Sequence, residues 1–131
     1  MTSLPQNLER RPHILVVDDE HDNRELLEIV LKHRGYFVTS AQGGLEALAS
    51  IRAIAPDLVL LDLMMPLMNG YEVAAEIKRN LATQHIIVIL FSALNGADVT
   101  TRALNAGAQE LFRKPMGSAE LYARLETHLP H

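Results

Sequence analysis

Residues 57–66 read Asp57-Leu58-Val59-Leu60-Leu61-Asp62-Leu63-Met64-Met65-Pro66. Leu58 to Leu61 are apolar at every position, with an acid on either side. A strand with one wet face alternates apolar and polar residues. A strand that is apolar throughout is covered on both faces, as in a parallel sheet. Asp62 marks where that covered run stops. Working outward, the pattern returns at 14–17, followed by Asp18, Asp19 and Glu20, and at 86–91, followed by Ser92. Shorter pieces at 36–39 and 111–112 read as the second and fifth strands.

Helical patterns fill the gaps. Leu26, Leu27, Val30 and Leu31 form an apolar stripe that leaves Glu25, Glu28 and Lys32 outside, and Gly35 ends the helix. Leu45, Leu48, Ala49 and Arg52 share a face of the next, bounded by Pro56. The third spans 71–79 with Val73 and Ile77 inward, and the fourth spans 98–106, stopped by Gly107. Leu121, Leu125 and Leu129 mark the fifth, with Ser118 as its expected N-cap. Strands alternating with helices predict right-handed crossovers and an α/β, doubly wound, five-stranded parallel sheet with five helices. Residues 1–12 are polar and aperiodic and read as a flexible N-terminal tail, leaving one domain over 13–129.

Composition narrows the function classes. The 131 residues are 48% hydrophobic and 21% charged, a globular balance. Twelve basic against sixteen acidic residues give a net charge of −4, which argues against direct nucleic-acid binding. The absence of cysteine excludes disulfides and thiolate chemistry and fits a cytoplasmic location. No apolar run approaches the roughly 20 residues of a membrane span. The six histidines are dispersed without ligand or triad spacing.

An open doubly wound sheet binds ligands beyond the carboxyl ends of its strands. Those ends carry Asp18, Asp19 and Glu20, then Asp62, Ser92 and Lys114-Pro115. Three acids brought together repel, raising carboxylate pKa values unless a cation compensates. Lys114 and a hard divalent ion are the two available compensators. Oxygen donors without converging histidine or cysteine favour Mg2+ over zinc.

The combination resembles the receiver domain of two-component response regulators, the family of the chemotaxis response regulator. It rests on residues 14–20, residues 57–66 with Asn69-Gly70, Phe91-Ser92-Ala93, Gly107-Ala108 and Lys114-Pro115. The resemblance implies a flavodoxin-like sheet of order 2-1-3-4-5. It implies Asp62 as phosphoacceptor for a sensor histidine kinase or histidine phosphotransfer protein. Mg2+ would be held by Asp19, Asp62 and the Met64 backbone carbonyl, and by Asp18 through water. Ser92 would be the switch hydroxyl, and Lys114 would pair with the phosphoryl group through a site whose Lys114-Pro115 bond is cis. Signalling would leave through the fourth helix, fifth strand and fifth helix, from a monomer or weak homodimer.

Two positions depart from the family pattern. Leu111 stands where receivers place a switch aromatic, and Phe112 faces the other side of its strand. Met116 replaces the usual Phe after Lys114-Pro115. Met64 and Leu94 occupy the two positions that flank the hydrolytic water, and both are apolar. The sequence leaves no space for an output domain after Leu129, as in a stand-alone receiver or one cut from a longer protein. Such a receiver is no enzyme beyond promoting its own phosphorylation and dephosphorylation. The alternative is a Mg2+-dependent phosphohydrolase, but Asp62-Leu63-Met64 lacks the Asp-x-Asp pair those enzymes tend to use. A flavodoxin-like cofactor module would need a phosphate cradle where Asp18-Asp19-Glu20 stands.

Overall fold

The three continuous apolar runs lie in strands buried almost throughout. In β1 (His13–Val17) and β3 (Leu58–Asp62) every residue is buried, and in β4 (Ile87–Ser92) all but Ile87. The computed structural model describes residues 11–94 and 96–129. β2 (Phe37–Ala41) and β5 (Glu110–Arg113) form the edges, in the order β2-β1-β3-β4-β5, with every pair parallel. Four helices connect them, α1 (His21–His33), α2 (Gly44–Ala53), α3 (Gly70–Arg79) and α4 (Ala97–Asn105), and α5 (Ser118–Glu126) follows β5.

Successive strand residues point to opposite faces, so the sheet divides its apolar side chains between two layers. Leu15, Val17, Val59, Leu61, Val88, Leu90 and Leu111 pack with α2, α3 and α4 through Ala47, Ile51, Val73, Ile77, Val99 and Ala103. Ile14, Val16, Leu58, Leu60, Ile89, Phe91 and Phe112 pack with α1 and α5 through Leu31, Leu121 and Leu125. Phe112 is fully buried, edge-on to Phe91 at 6.2 Å, with the Arg124 guanidinium over its ring. Truncating so buried a ring typically costs about 3–5 kcal/mol.

Several local expectations are corrected. Leu26 lies outside the packing stripe of α1 and is exposed, while Leu31 is buried. Helix α2 turns Gly44, Ala47 and Ile51 inward, leaving Leu45 in solvent. The reason is closeness: a Cβ at Gly44 would come within 2.7 Å of Val73 Cγ2, so the small-residue face must pack. The N-cap of α5 is Gly117, with no side-chain bond, and Ser118 is its first helical residue. β2 runs through Ala41 and β4 through Ser92, each further than expected. Of the expected tail, residues 1–10 lie outside the described residues, and the Pro12 carbonyl accepts from Phe37 N–H at 3.1 Å. Gly35 (φ 101°) and Gly107 (φ 99°) do follow α1 and α4 in the left-handed conformation that suits glycine.

Candidate functional site

Adjacent strands β1 and β3 end side by side, and this places Asp18 beside Asp62. One carboxylate oxygen from each of Asp18, Asp19 and Asp62 lies within 4.8 Å of the others. Asp18 and Asp62 are buried and Asp19 is exposed. Lys114 reaches in from the end of β5, with Nζ 3.3 Å from Asp62 Oδ1 and 3.6 Å from Asp18 Oδ2. Its ammonium also sits 5.3 Å from the centre of the Phe91 ring. The Lys114-Pro115 bond is cis.

The surrounding backbone fixes these groups. Asp18 Oδ1 accepts from Glu20 N–H at 2.9 Å, and its carbonyl accepts from Arg24 Nη1 at 2.9 Å. Lys114 N–H donates to the Ser92 carbonyl at 2.8 Å, joining the β4 and β5 ends. Ser92 is buried, and its Oγ accepts from Leu94 N–H at 2.9 Å. After Asp62 the chain passes through Leu67, a non-glycine residue at φ 69°, to Asn69. There a reciprocal capping box with Glu72 starts α3. That Asn-x-x-Glu spacing is a helix-start signature already present in the sequence. Gly70 N–H donates to the Leu63 carbonyl at 2.9 Å, drawing α3 tightly onto the end of β3.

Asp62 has its pKa raised above the ordinary value of 3.8. Burial is the first cause; Lys114 opposes it, and the charge of Asp18 adds to it. Desolvation thus outweighs the carboxylate repulsion expected from sequence. Lys114 alone does not cancel it. A hard oxygen-only donor set with excess negative charge suits a divalent cation such as Mg2+.

Met64 and Leu94 are both exposed, and Met65 is packed in the core. Leu111 is buried among the α2–α4 layer while Phe112 lies in the opposite layer, as expected. Among the described residues no histidine joins the Asp18–Asp19–Asp62 cluster. His21 pairs with Asp22 and Glu25 on α1, His13 bonds Thr39, and His128 bonds Glu110. Sequence reading missed Arg113, whose guanidinium spans from β5 to the loop before α4. No periodicity signals such a contact.

Comparison with known proteins agrees with this geometry. The family model described as the response regulator receiver domain matches residues 14–126. The response regulator PleD of Caulobacter vibrioides is 40% identical over 114 residues, covering 87% of this chain and 25% of PleD. This chain therefore spans only about a quarter of that relative. The chemotaxis protein CheY4 of Vibrio cholerae superposes with a TM-score of 0.87 at 24% identity, covering 91% of this chain and 99% of that one, and so shows the fold. The receiver domain of a signal transduction histidine kinase from Syntrophus aciditrophicus gives a TM-score of 0.84 at 30% identity, covering 90% and 89%.

Proposed function

The chain belongs to the response regulator receiver family of two-component signalling, and from that premise we propose that Asp62 is its phosphoacceptor. The observation that carries this is the placement of one buried carboxylate between two acids and a lysine at the strand ends. An Asp62 oxygen attacks the phosphorus of a phosphohistidine donor. The P–N bond breaks, the imidazole nitrogen leaves with the electron pair and takes a proton, and an acyl phosphate remains. The donor is a sensor histidine kinase or a histidine phosphotransfer protein. A hollow of about 260 Å³ lined by Leu26, Leu27, Phe91, Lys114 and Met116 opens beside the site and suits an apolar face of such a donor.

Asp19, Asp62 and the Met64 carbonyl would hold Mg2+ in this reading, with Asp18 acting through water. When bound, the ion would supply charge neutralisation for the transferred phosphoryl group. Lys114, 3.3 Å from Asp62 Oδ1, would pair with one of the phosphoryl oxygens, and Ser92 would turn its hydroxyl to another. Chelation with EDTA is expected to abolish labelling by a phosphohistidine donor. Asp19→Ala is expected to weaken Mg2+ binding at least about tenfold, about 1.4 kcal/mol. Unchanged affinity, measured by titration of the metal alone, counts against this ligand set. Turnover of a generic phosphate ester would instead favour the phosphohydrolase, for which no observation here speaks.

Met64 and Leu94 set the lifetime of the acyl phosphate. Hydrolysis needs a water held in line behind phosphorus, and neither side chain offers a strong hydrogen-bonding group to orient one. The phosphorylated half-life is expected to run from many minutes to hours. Met64→Asn with Leu94→Glu is expected to shorten it about tenfold or more, about 1.4 kcal/mol of barrier. Decay of phosphoprotein after donor removal measures this, and a wild-type half-life of seconds contradicts it.

A further inference from the structure

Arg113 closes β5 and is partly buried one residue before Lys114. Its Nη1 donates to the Leu94 carbonyl at 2.6 Å. Its Nη2 donates to the Gly96 carbonyl at 3.2 Å and to Thr100 Oγ1 at 3.0 Å. Gly96 is the N-cap of α4, and Thr100 lies within that helix. One guanidinium therefore joins the sheet edge, the loop after β4 and the start of α4. Only arginine carries a planar fork of donors suited to several acceptors at once. Residue 94 faces both ways, since its N–H donates to Ser92 Oγ while its carbonyl accepts from Arg113. Ser92 and Arg113 are also register partners across β4 and β5.

Leu111 is buried in the α2–α4 layer and has no polar atom to report the position of Ser92. We propose that Arg113 is the positioning residue that couples Ser92 to α4 in this chain. This inference rests on the receiver reading above. When Ser92 turns its hydroxyl to a phosphoryl oxygen on Asp62, its bond from Leu94 N–H is strained or lost. Residue 94 then shifts, its carbonyl moves against the guanidinium, and the remaining Arg113 bonds carry the shift to Gly96 and Thr100. The device is bistable because the fork holds the resting loop by three bonds that cannot all survive the displacement.

The test uses the full chain with acetyl phosphate and magnesium. Phosphoryl occupancy is read by intact mass, and amide hydrogen exchange is read across 97–105 with and without the donor. In the wild type, exchange in α4 is expected to change by about threefold or more on phosphorylation. In Arg113→Ala, compared at matched occupancy, that change is expected to vanish. Arg113→Lys, which can keep one carbonyl bond, and Thr100→Val, which removes only one bond, are expected to retain part of it. A purely structural arginine would instead shift exchange equally in both states. An Arg113→Ala response equal to wild type overturns the proposal. Should Arg113→Ala fail to fold, a Thr100→Val response equal to wild type overturns it. A wild type that takes up no phosphoryl group overturns the receiver reading itself, a separate result visible in the mass alone.

Discussion

Incubated with acetyl phosphate and magnesium, the wild-type chain is expected to gain about 80 Da, one phosphoryl group, and Asp62→Asn to gain none. Asparagine keeps the shape of the side chain and removes the nucleophile. Asp18 and Asp19 stand within 4.8 Å but belong to another strand end, so neither is expected to substitute. A variant that still gains this mass contradicts the assignment. The same variant reads out the electrostatics. The raised pKa of Asp62 means that the folded state holds its proton more tightly than the unfolded state. The group's favourable contribution is therefore present below about pH 3.8, the ordinary value, and is lost as pH rises through the folded pKa. At pH 7 without metal the charged form opposes folding. Asp62→Asn is then expected to melt higher than wild type in EDTA, and magnesium to narrow the difference by stabilising the wild type. A lower melting temperature for the variant in EDTA contradicts this sign.

Gly70→Ala is expected to damage both stability and chemistry. A Cβ at this position would stand 2.8 Å from the Asp62 carbonyl oxygen, 2.9 Å from Leu63 Cα and 2.9 Å from Leu90 Cδ2. Two of the three are backbone of β3 and its continuation, which cannot rotate aside. Overpacking of this kind costs about 1–3 kcal/mol, a fall in melting temperature of roughly 4 °C per kcal/mol for a chain of this size. The displaced backbone carries Asp62 with it, so labelling should slow at temperatures where the variant remains folded. Thermal melts and labelling time courses measure the two effects. A melting temperature within a degree of wild type shows that α3 can retreat from β3 freely.

The strands were legible because their burial is unambiguous. Leu58 to Leu61 has no polar face, and only a sheet covered on both sides accommodates that. The strand-end chemistry followed, since Asp18, Asp62 and Ser92 each directly follow an apolar run and Lys114 stands one residue beyond another. Helix faces were less legible. On α2, leucine positions suggested one face, but the approach of Val73 and Met68 to Gly44 selects another. Hydrophobicity marks what can be buried, whereas closeness of packing selects what is buried. On α1, Leu26 is left at the rim of the hollow beside Lys114. Charge crowding among the strand-end acids was legible, but burial, the leading cause of the raised Asp62 pKa, was not, because burial depth is a property of the folded sheet. The Arg113 contacts span 13 to 19 residues and depend on side-chain reach, which no local pattern encodes.

The first and last helices are bound to each other. Tyr122 Oη donates to the Val30 carbonyl at 2.7 Å, Arg34 pairs with Glu126, and the Arg34 guanidinium lies over the Tyr122 ring. Arg34 follows α1 where the chain turns back toward the start of β2, and Pro12 bonds Phe37 at that same strand start. Both described ends of the polypeptide thus emerge at the edge where strands begin, across the sheet from Asp62. The described residues therefore have two poles, one holding both described ends and the other holding Asp18, Asp62 and Lys114, so anchoring the protein through residue 11 or residue 129 would face the acidic pole outward.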